Sequence, residues 1–399
     1  MVKDGFQQTE IGKIPDDWTI KKIKEFTDAT SGGTPSTSHS EYWNGKIRWM
    51  NSGEINLKKI YEVKGRITEL GLKNSSTKLI PKNCILIALA GQGKTRGTVA
   101  INYVESCINQ SLGVILPNKS FSSEYVYHNL DSRYDELRSL SSGGEGRGGL
   151  NLTLIKNIRI QFPPTITEQN LIVKVLDCMD QIIEKIKSLI EKKKNIKQGA
   201  MQELLTGKRR LDGFTKKWEV KALENITNCL DNLRIPLNDS QRQKMRGDYP
   251  YCGANDVLDY VNDYVINDEF ILIAEDGGHF DEYEFRPIAY KMNGKCWVNN
   301  HAHILKAKEG FSQDFIFYSL VHKNILRFLA GGTRAKLNKS EMYKIEIDIP
   351  TDLIEQTTIA QTLLDIEVEI KELEFQRNKY NMIKEGMMQK LLTGEIRLV

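Results

Sequence analysis

A long internal repeat constrains the fold of this chain more than any other feature. The stretch MQELLTGKRRL begins at position 201 and MQKLLTGEIRL begins at position 388, which is 187 residues later in a chain of 399. With that offset held constant, segment 144–211 aligns with segment 331–398 without a gap, and a Glu-Gln pair recurs at 168 and 355. A repeat of this length has to be explained before single motifs are considered.

The beginnings of the two halves also resemble each other, whereas the segments between them differ. DDWTIKKIKEF (16–26) is similar to KKWEVKALENI (216–226). In contrast, SGGTPSTSHSEYWNGKIRWMNSGEI (31–55) has no visible counterpart in RIPLNDSQRQKMRGDYPYCGANDVL (234–258). We therefore predict two copies of one frame with different insertions, an arrangement that favours two similar surfaces that recognise different targets.

The repeated segments are predicted to be long helices. Each lacks proline, follows Pro163-Pro164 or Pro350, and reaches a glycine that should end it, Gly207 or Gly394. Thr167 is the expected N-cap of the first helix. About 38 residues at ~1.5 Å per residue give a helix of ~57 Å.

The spacing of apolar residues in these helices, alternately four and three, is typical of a coiled-coil seam. We expect the two helices to pair antiparallel with each other; the alternative is that each packs only on its own domain. The basic run EKIKSLIEKKKNIKQ (184–198) is expected to be a solvated face, with phosphate or partner contact as the alternative. The predicted seam and partner-docking residues are Ile172, Leu176, Met179, Ile183, Ile186, Ile190, Ile359, Leu363, Ile366, Ile370 and Leu373.

These patterns predict an α+β fold with a pseudo-two-fold repeat, in which two mixed α/β domains are separated by two long antiparallel coiled-coil helices. A helix is expected over 123–140, with a counterpart over 313–330, and LNLTLIKNIRIQFP (150–163) is interpreted as a strand. The predicted parts are a first domain (1–163), helix 1 (164–208), a second domain (209–350) and helix 2 (351–399).

Composition bounds the class of protein. A net charge of +4 and a pI near 8.5 permit nucleic acid as a partner without requiring it. No apolar run approaches the ~18 residues of a membrane span, and the polar N-terminus does not resemble a signal peptide. The six cysteines never form a C-x-x-C pattern, which favours a cytoplasmic protein without structural disulfides.

Taken together, the motifs closely resemble those of the specificity subunit of type I restriction-modification systems. EQNLIVKVLD and EQTTIAQTLLD precede the long helices, and LLTGKRRL and LLTGEIRLV follow them. SGGTPS opens one variable domain, while YPYCGANDVLDYV and WVNNHAHIL mark the other.

The resemblance implies separate roles for the variable domains, the long helices and the partner subunits. Each variable domain would be a target recognition domain that reads one half of a split, asymmetric site in double-stranded DNA. The helices would set the gap between the halves and dock two modification subunits with adenine-N6 methyltransferase activity, and restriction subunits with motor and nuclease activity would join them. The chain itself would have no catalytic residues and no bound cofactor or metal. S-adenosylmethionine, ATP and Mg would belong to the partner subunits, and no membrane would be involved.

Candidate DNA contacts are polar or aromatic side chains near glycine-rich or turn segments. Gln and Asn can pair bidentately with adenine, Arg can pair with guanine, and Lys can reach phosphate. For the loop at 92–96 the alternative is a plain surface turn. For Asn299, Asn300 and His301 the alternative is internal hydrogen bonding. The predicted contacts are Arg48, Gln92, Lys94, Thr95, Arg96, Asn109, Gln110, Arg147, Tyr251, Asn255, Asn299, Asn300, His301, Arg334 and Lys336.

Three further motifs resemble nucleotide-binding or metal-binding sites, but each lacks a feature that such a site requires. ALAGQGKTRG has Ala88 where a P-loop requires glycine, and GEGRGG precedes a segment interpreted as a strand rather than a helix. His301 and His303, expected on one face of a strand, have no nearby cysteine pair to complete a zinc site.

Two other functions remain open: a coiled-coil scaffold that binds proteins and an autonomous enzyme. Log-linear salt dependence of binding would distinguish DNA recognition from the first, and turnover of ATP or S-adenosylmethionine by the isolated chain would indicate the second.

Overall fold

The computed structural model describes residues 5–91, 95–140, 149–331 and 335–398. It contains two compact units: unit 1 comprises residues 1–187 and 376–399, and unit 2 comprises residues 188–375. Both boundaries of unit 2 fall within long helices. The finer domain bounds given above stay a prediction.

Unit 1 is built from short strands arranged in several sheets. The larger sheets have the orders β4-β12-β9-β10-β6 and β7-β5-β11-β8, and β1-β2 and β13-β3 form separate pairs. The central strands β9, β10 and β12 are buried along their whole length, as their continuous apolar sequences require. The strands are β1 (Phe6–Thr9), β2 (Gly12–Pro15), β3 (Thr19–Lys22), β4 (Ala29–Ser31), β5 (Trp43–Met50), β6 (Lys59–Ile60), β7 (Arg66–Ile67), β8 (Lys78–Ile80), β9 (Ile85–Ala88), β10 (Val99–Asn102), β11 (Ser106–Ile108), β12 (Leu112–Ile115) and β13 (Arg159–Phe162).

Five short helices cover these sheets, and two of them correct the sequence-based interpretation. The helix expected over 123–140 is interrupted at Ser132, whose hydroxyl donates to the carbonyl of Asn129 at 2.8 Å and so competes with helical bonding. Segment 150–163 begins as a helix rather than a strand, because the Asn151 side chain caps it by accepting from the N–H of Leu154. The helices are α1 (Ile23–Phe26), α2 (Glu69–Lys73), α3 (Ser123–Asp131), α4 (Tyr134–Ser139) and α5 (Leu152–Lys156).

Helix α6 (Ile166–Leu204) is 39 residues long, as the proline-free repeat predicts. It starts two residues earlier than expected: the hydroxyl of Thr165, not of Thr167, accepts from the N–H of Glu168 at 3.2 Å. Thr167 was therefore the wrong cap, because it already lies within the first helical turn. Gly207 has a φ of +66° just beyond the helix, a conformation that glycine adopts without strain.

Unit 2 has one larger sheet with the order β15-β20-β18-β19-β16-β17, together with the pairs β14-β23 and β21-β22. Its helix over 313–330 is shorter than predicted, since it ends at Val321. The strands are β14 (Trp218–Ala222), β15 (Thr227–Cys229), β16 (Arg246–Cys252), β17 (Val257–Val261), β18 (Ile266–Ala274), β19 (Ala289–Val298), β20 (Ala302–Ala307), β21 (Leu329–Ala330), β22 (Lys336–Leu337) and β23 (Glu346–Pro350). The helices are α7 (Leu223–Ile226), α8 (Asp239–Lys244), α9 (Gln313–Val321) and α10 (Lys339–Met342), followed by α11 (Leu353–Leu391), which is again 39 residues long.

The two long helices run antiparallel, as contacts inside each unit show. Within unit 1, Lys384 Nζ lies 2.5 Å from Asp180 Oδ1. Within unit 2, Lys197 Nζ lies 2.7 Å from Glu367 Oε1, and Lys193 pairs with Glu369. An early position on α6 thus meets a late position on α11 in unit 1, and late positions on α6 meet early positions on α11 in unit 2. Part of the basic run of α6 is therefore paired with acidic residues of α11 rather than freely solvated.

The apolar seam is buried to different depths along these helices. Ile172 and Leu176 belong to the main core of unit 1, and Ile359 and Leu363 belong to the main core of unit 2. Packing on the unit's own domain and pairing between the helices therefore both occur. The buried seam residues are Ile172, Leu176, Met179, Ile183, Ile190, Ile359, Leu363 and Ile370; Ile186, Ile366 and Leu373 are half-buried.

The glutamate of the repeated Glu-Gln pair and the repeated arginine after L-L-T-G form the same ion pair in each unit. In unit 1, Arg397 Nη2 lies 2.9 Å from Glu168 Oε2, and its Nε binds the other carboxylate oxygen. In unit 2, Arg210 holds Glu355 in the same two-point geometry, at 2.9 and 2.6 Å. Both carboxylates are buried, and in each unit the arginine supplies the opposite charge and the hydrogen bonds that a buried carboxylate group needs.

Candidate nucleic-acid interface

A three-residue turn joins β19 to β20 in unit 2. The N–H of Asn299 donates to the carbonyl of Cys252 at 3.1 Å, and its side-chain oxygen accepts from the N–H of His301 at 2.8 Å. Asn299 is buried and closes the turn in the manner of an Asx turn. The middle residue, Asn300, is left exposed.

The turn between β11 and β12 in unit 1 is built in the same way. The N–H of Asn109 donates to the carbonyl of Met50 at 3.0 Å, and its side-chain oxygen accepts from the N–H of Ser111 at 3.1 Å. Here too the asparagine is buried and the middle residue, Gln110, is exposed. Residues 109–111 and 299–301 are therefore structural equivalents.

Backbone hydrogen bonds tie each turn to two other segments. In unit 1, the N–H of Leu89 donates to the carbonyl of Ser111, and the N–H of Leu150 donates to the carbonyl of Leu89, both at 2.9 Å. These contacts gather the end of β9, the turn and the residues that precede α5 at one place. We call the described residues 89–91, 95–97, 109–111 and 149–150 the loop cluster of unit 1.

Unit 2 repeats this arrangement. The N–H of Glu275 donates to the carbonyl of His301 at 2.8 Å, and the N–H of Leu337 donates to the carbonyl of Glu275 at 2.7 Å. We call the described residues 253–256, 275–279, 299–301 and 335–337 the loop cluster of unit 2. The same backbone scaffold thus presents different side chains in the two units.

Ion pairs and hydrogen bonds between charged side chains hold the loop cluster of unit 2 in place. Asp231 Oδ2 lies 3.1 Å from Arg234 Nη2 and 2.6 Å from His303 Nδ1. Burial alone would raise the pKa of Asp231, but hydrogen bonds from His303 and from a backbone N–H lower it below the ordinary value. The pKa of Glu275 is likewise lowered against the effect of burial, by hydrogen bonds from Arg234 and Lys336. Both carboxylates are therefore held ionised: Asp231 accepts from the N–H of Ile304 on β20, and Glu275 pairs with Lys336 on β22.

His303 has a structural position and does not offer a metal ligand. It is buried, its Nδ1 contacts Asp231, and its Nε2 lies 2.7 Å from the carbonyl of Leu337. Cys229 lies close enough to complete a three-residue metal group, but burial raises the pKa of its thiol to about 12. Because both ring nitrogens are engaged and the thiol is protonated, this group fits internal hydrogen bonding better than metal coordination.

The expectation that His301 and His303 share one face of a strand was wrong. β20 begins at Ala302, so only His303 lies on the strand, and His301 occupies the preceding turn. There the Nδ1 of His301 lies 2.6 Å from Asp276 Oδ1, while the ring stays partly exposed.

The structure places the predicted DNA-contact residues in different environments. Gln110, Asn300 and Lys336 are exposed. Arg48, Thr95, Arg96, Asn255 and His301 are half-buried, Arg48 beside Glu62. Asn109, Tyr251 and Asn299 are buried. Gln92, Lys94, Arg147 and Arg334 lie outside the described residues.

The buried positions argue against direct base contact by three of these residues. The Tyr251 hydroxyl accepts from the N–H of Leu237 at 2.9 Å, so its polar end is used inside unit 2. Asn109 and Asn299 use their side-chain oxygens to close the two turns. They shape the loop clusters but do not present an amide to solvent. Whether the remaining candidates contact DNA stays a prediction.

Sequence reasoning missed several residues that shape the loop clusters. The hydroxyl of Thr34 donates to Gln110 Oε1 at 2.6 Å, and Arg234 and Asp276 support the turn of unit 2. A signal for the equivalence was present: CINQS (107–111) and WVNNH (297–301) align at an offset of 190. These two segments do not align at the offset of 187 that relates the rest of the repeat.

Comparison with known proteins defines the class. A family model described as the type I restriction modification DNA specificity domain matches residues 15–192 and 215–381. The chain therefore belongs to this family, whose two matched segments correspond to the two copies of the repeat. Its class is the specificity subunit of type I restriction-modification systems, which in general is a non-catalytic component.

Individual relatives agree with this assignment over the full length. The type I restriction enzyme MjaIX specificity subunit of Methanocaldococcus jannaschii is 26% identical, with 98% of this chain and 96% of the relative covered. The crystal structure of a type I S subunit from M. genitalium has a TM-score of 0.64 at 16% identity, covering 98% and 97% of the two chains. A chain from a study of complex assembly and conformational transition in a type I system has a TM-score of 0.60 at 15% identity, covering 96% and 99%. These two structures support the fold.

Within the described residues, no helix combines the length and the apolar character needed to cross a membrane.

Proposed function

We propose that this chain reads a bipartite, asymmetric site in double-stranded DNA, with one loop cluster for each half-site. The observation that carries the proposal is the pair of equivalent turns at 109–111 and 299–301, which share a backbone scaffold but differ in their side chains. Direct readout depends on the donors and acceptors at base edges, so different side chains on one scaffold select different base sequences.

The long helices are the proposed attachment surface for partner subunits. We expect two modification subunits with adenine-N6 methyltransferase activity to dock on α6 and α11, followed by restriction subunits. This rests on the family and on the exposed apolar side chains of these helices, among them Ile354, Phe375 and Met382. S-adenosylmethionine, ATP and Mg would be bound by those partners rather than by this chain. Because α6 connects the two units covalently, its length is expected to set the gap between the half-sites.

Selection from a random DNA pool tests the proposed function. The chain is mixed with its modification partner, bound DNA is recovered, and the enriched sequences are determined. Two short, unlike half-sites at a fixed spacing are expected. Enrichment of one contiguous palindrome, or of no sequence at all, would contradict the proposal.

The salt dependence of binding separates DNA recognition from a protein-binding scaffold. Neutralisation of phosphates releases counterions, so log K should fall linearly with log salt concentration. A salt-insensitive association with protein partners alone, without DNA binding, would favour the scaffold.

A further inference from the structure

We infer that Gln110 and Asn300 are equivalent base-reading residues, that each reads an adenine, and that Thr34 positions the Gln110 amide. This inference rests on the proposed function, since it assumes that the loop clusters face DNA. Both side chains are exposed amides at the middle position of turns whose first residue is buried and hydrogen-bonded twice. The exposed residue is therefore carried by a rigid backbone, as direct readout requires.

The glycines of SGGTPS explain why Thr34 reaches Gln110. A Cβ added to Gly32 would lie 2.0 Å from the carbonyl oxygen of Ile108, the last residue of β11. A Cβ added to Gly33 would lie 2.0 Å from Ser76 Oγ, and the N–H of Gly33 donates to that same Ile108 carbonyl at 3.1 Å. Only glycine permits this close approach, which brings the next residue in the chain beside the turn.

The hydroxyl of Thr34 fixes one end of the reading amide. It donates to Gln110 Oε1 at 2.6 Å, so the amide oxygen is oriented toward Thr34 while keeping a second lone pair. Thr34 and Gln110 are both exposed, so this contact orients a surface side chain and is not part of the core. Orientation before binding reduces the entropy lost when the base is contacted.

Unit 2 presents its amide without such a support. The N–H of Ile235 donates to the carbonyl of Val298 at 2.9 Å, which matches the contact between Gly33 and Ile108 in unit 1. Pro236 therefore occupies the position equivalent to Thr34, and it has no hydroxyl. The Asn300 amide has no hydrogen-bond partner among the described residues, which leaves its donors and its acceptor available to a base.

The amide group selects the base. A glutamine or asparagine side chain accepts from adenine N6 and donates to adenine N7 in the major groove, a pair that no other base edge reproduces. A shared amide at equivalent turns thus assigns one adenine contact to each half-site. The surrounding side chains, which differ between the units, would read the neighbouring bases.

Selection from a random DNA pool with single variants of the full chain and its modification partner tests this inference. Gln110→Ala is expected to reduce discrimination at one adenine of one half-site at least about fivefold, while the other half-site stays unchanged. Asn300→Ala should relax one adenine of the other half-site in the same way. Thr34→Val should relax the same position as Gln110→Ala, by a smaller factor, and no other position.

Exposed amides outside the loop clusters provide matched controls. Gln8→Ala on β1 and Asn293→Ala on β19 should leave both half-sites unchanged, and melting temperatures should show that all variants fold. The inference is overturned if Gln110→Ala and Asn300→Ala weaken binding to all sequences equally, or if the relaxed position is not an adenine. If the unmodified chain still selects a bipartite site in that case, the proposed function stands. If the unmodified chain selects no bipartite site, both fail.

Discussion

The buried glutamines of the repeated Glu-Gln pair join the start of each long helix to its unit. Gln356 Oε1 accepts from the N–H of Ser312 at 2.8 Å, and its Nε2 donates to the carbonyl of Pro350 at 2.9 Å. In unit 1, Gln169 Oε1 accepts from the N–H of Ser122 at 2.9 Å. Each glutamine thus satisfies the N–H at the start of a short helix, α3 or α9, and Gln356 also binds the carbonyl at the end of β23.

Replacing Gln356 should destabilise unit 2 strongly. Gln356→Ala leaves a buried N–H and a buried carbonyl unpaired, and we expect a loss of about 2–4 kcal/mol in the free energy of unfolding. Urea unfolding followed by circular dichroism measures this loss. Gln361→Ala, five residues later on the exposed face of α11, is the control and should change stability by less than about 0.5 kcal/mol. Equal effects of the two variants would contradict the assigned role.

Sequence comparison predicted which residues recur but not which residues meet. The repeated glutamate, glutamine and arginine were visible at the offset of 187, whereas the bond between Arg210 and Glu355 spans 145 positions and depends on tertiary packing. The same limit applies to Thr34 and Gln110, which lie 76 positions apart. Tyr251, a predicted DNA contact, is buried, because an aromatic residue in a polar sequence context can equally well pack inside a domain.

Among the elements, α6 is held to unit 1 by a charged contact at Asp177. Asp177 Oδ1 lies 2.7 Å from Lys59 Nζ on β6 and 2.9 Å from His128 Nε2 on α3. Burial opposes ionisation, but the hydrogen bonds from His128 and Lys59 lower the pKa of Asp177 to about 2. The same atoms could suggest a metal group with Asp180, yet Lys59 already supplies the cation.

The low pKa of Asp177 predicts a particular loss of stability in acid. Because the folded pKa lies below the unfolded value near 3.9, the contribution is complete above that value and disappears as the pH falls toward 2. We expect it to be worth about 2 kcal/mol at neutral pH, from the difference of nearly two pKa units. Asp177→Asn should therefore be less stable than the unmodified chain at pH 7 but nearly equal to it at pH 2, measured by urea unfolding at each pH. A difference that stays constant with pH would contradict this role.

Lengthening both long helices by one heptad should change the gap in the DNA site. Seven residues inserted after Lys187 in α6 and after Phe375 in α11 preserve the seam register and add ~10.5 Å, or about three base pairs. Pool selection should return the same half-sites with a longer gap. Altered bases in both half-sites would contradict the expectation that helix length sets the spacing.

The helices were the most predictable elements and the short segments the least. A proline-free heptad pattern bounded by proline and glycine predicted two helices of about 38 residues, close to the observed 39. Segment 150–163 was misread because the helix α5 has only five residues, too few to show a helical period, and depends on the cap at Asn151. The strands inside the variable parts are mostly short, and their pairing depends on contacts that periodicity does not show.

At the scale of the whole molecule, a duplicated frame carries two unlike sets of loop side chains. The family assignment, the two matched segments and the equivalent turns all describe the same duplication. The difference between the units lies mainly in segments such as 31–55 and 234–258, which the repeat does not include. Recognition by each unit should therefore be transferable without its neighbour.

Exchange of one variable segment tests whether each unit recognises its half-site independently of the other. Residues 27–150 are replaced by the corresponding segment of a family member with a known, different site, and the methylated sites are sequenced in cells that also carry the modification partner. We expect one half-site to change to that of the donor, while the other half-site and the gap remain as they were. A change in both half-sites, or no change in either, would contradict it.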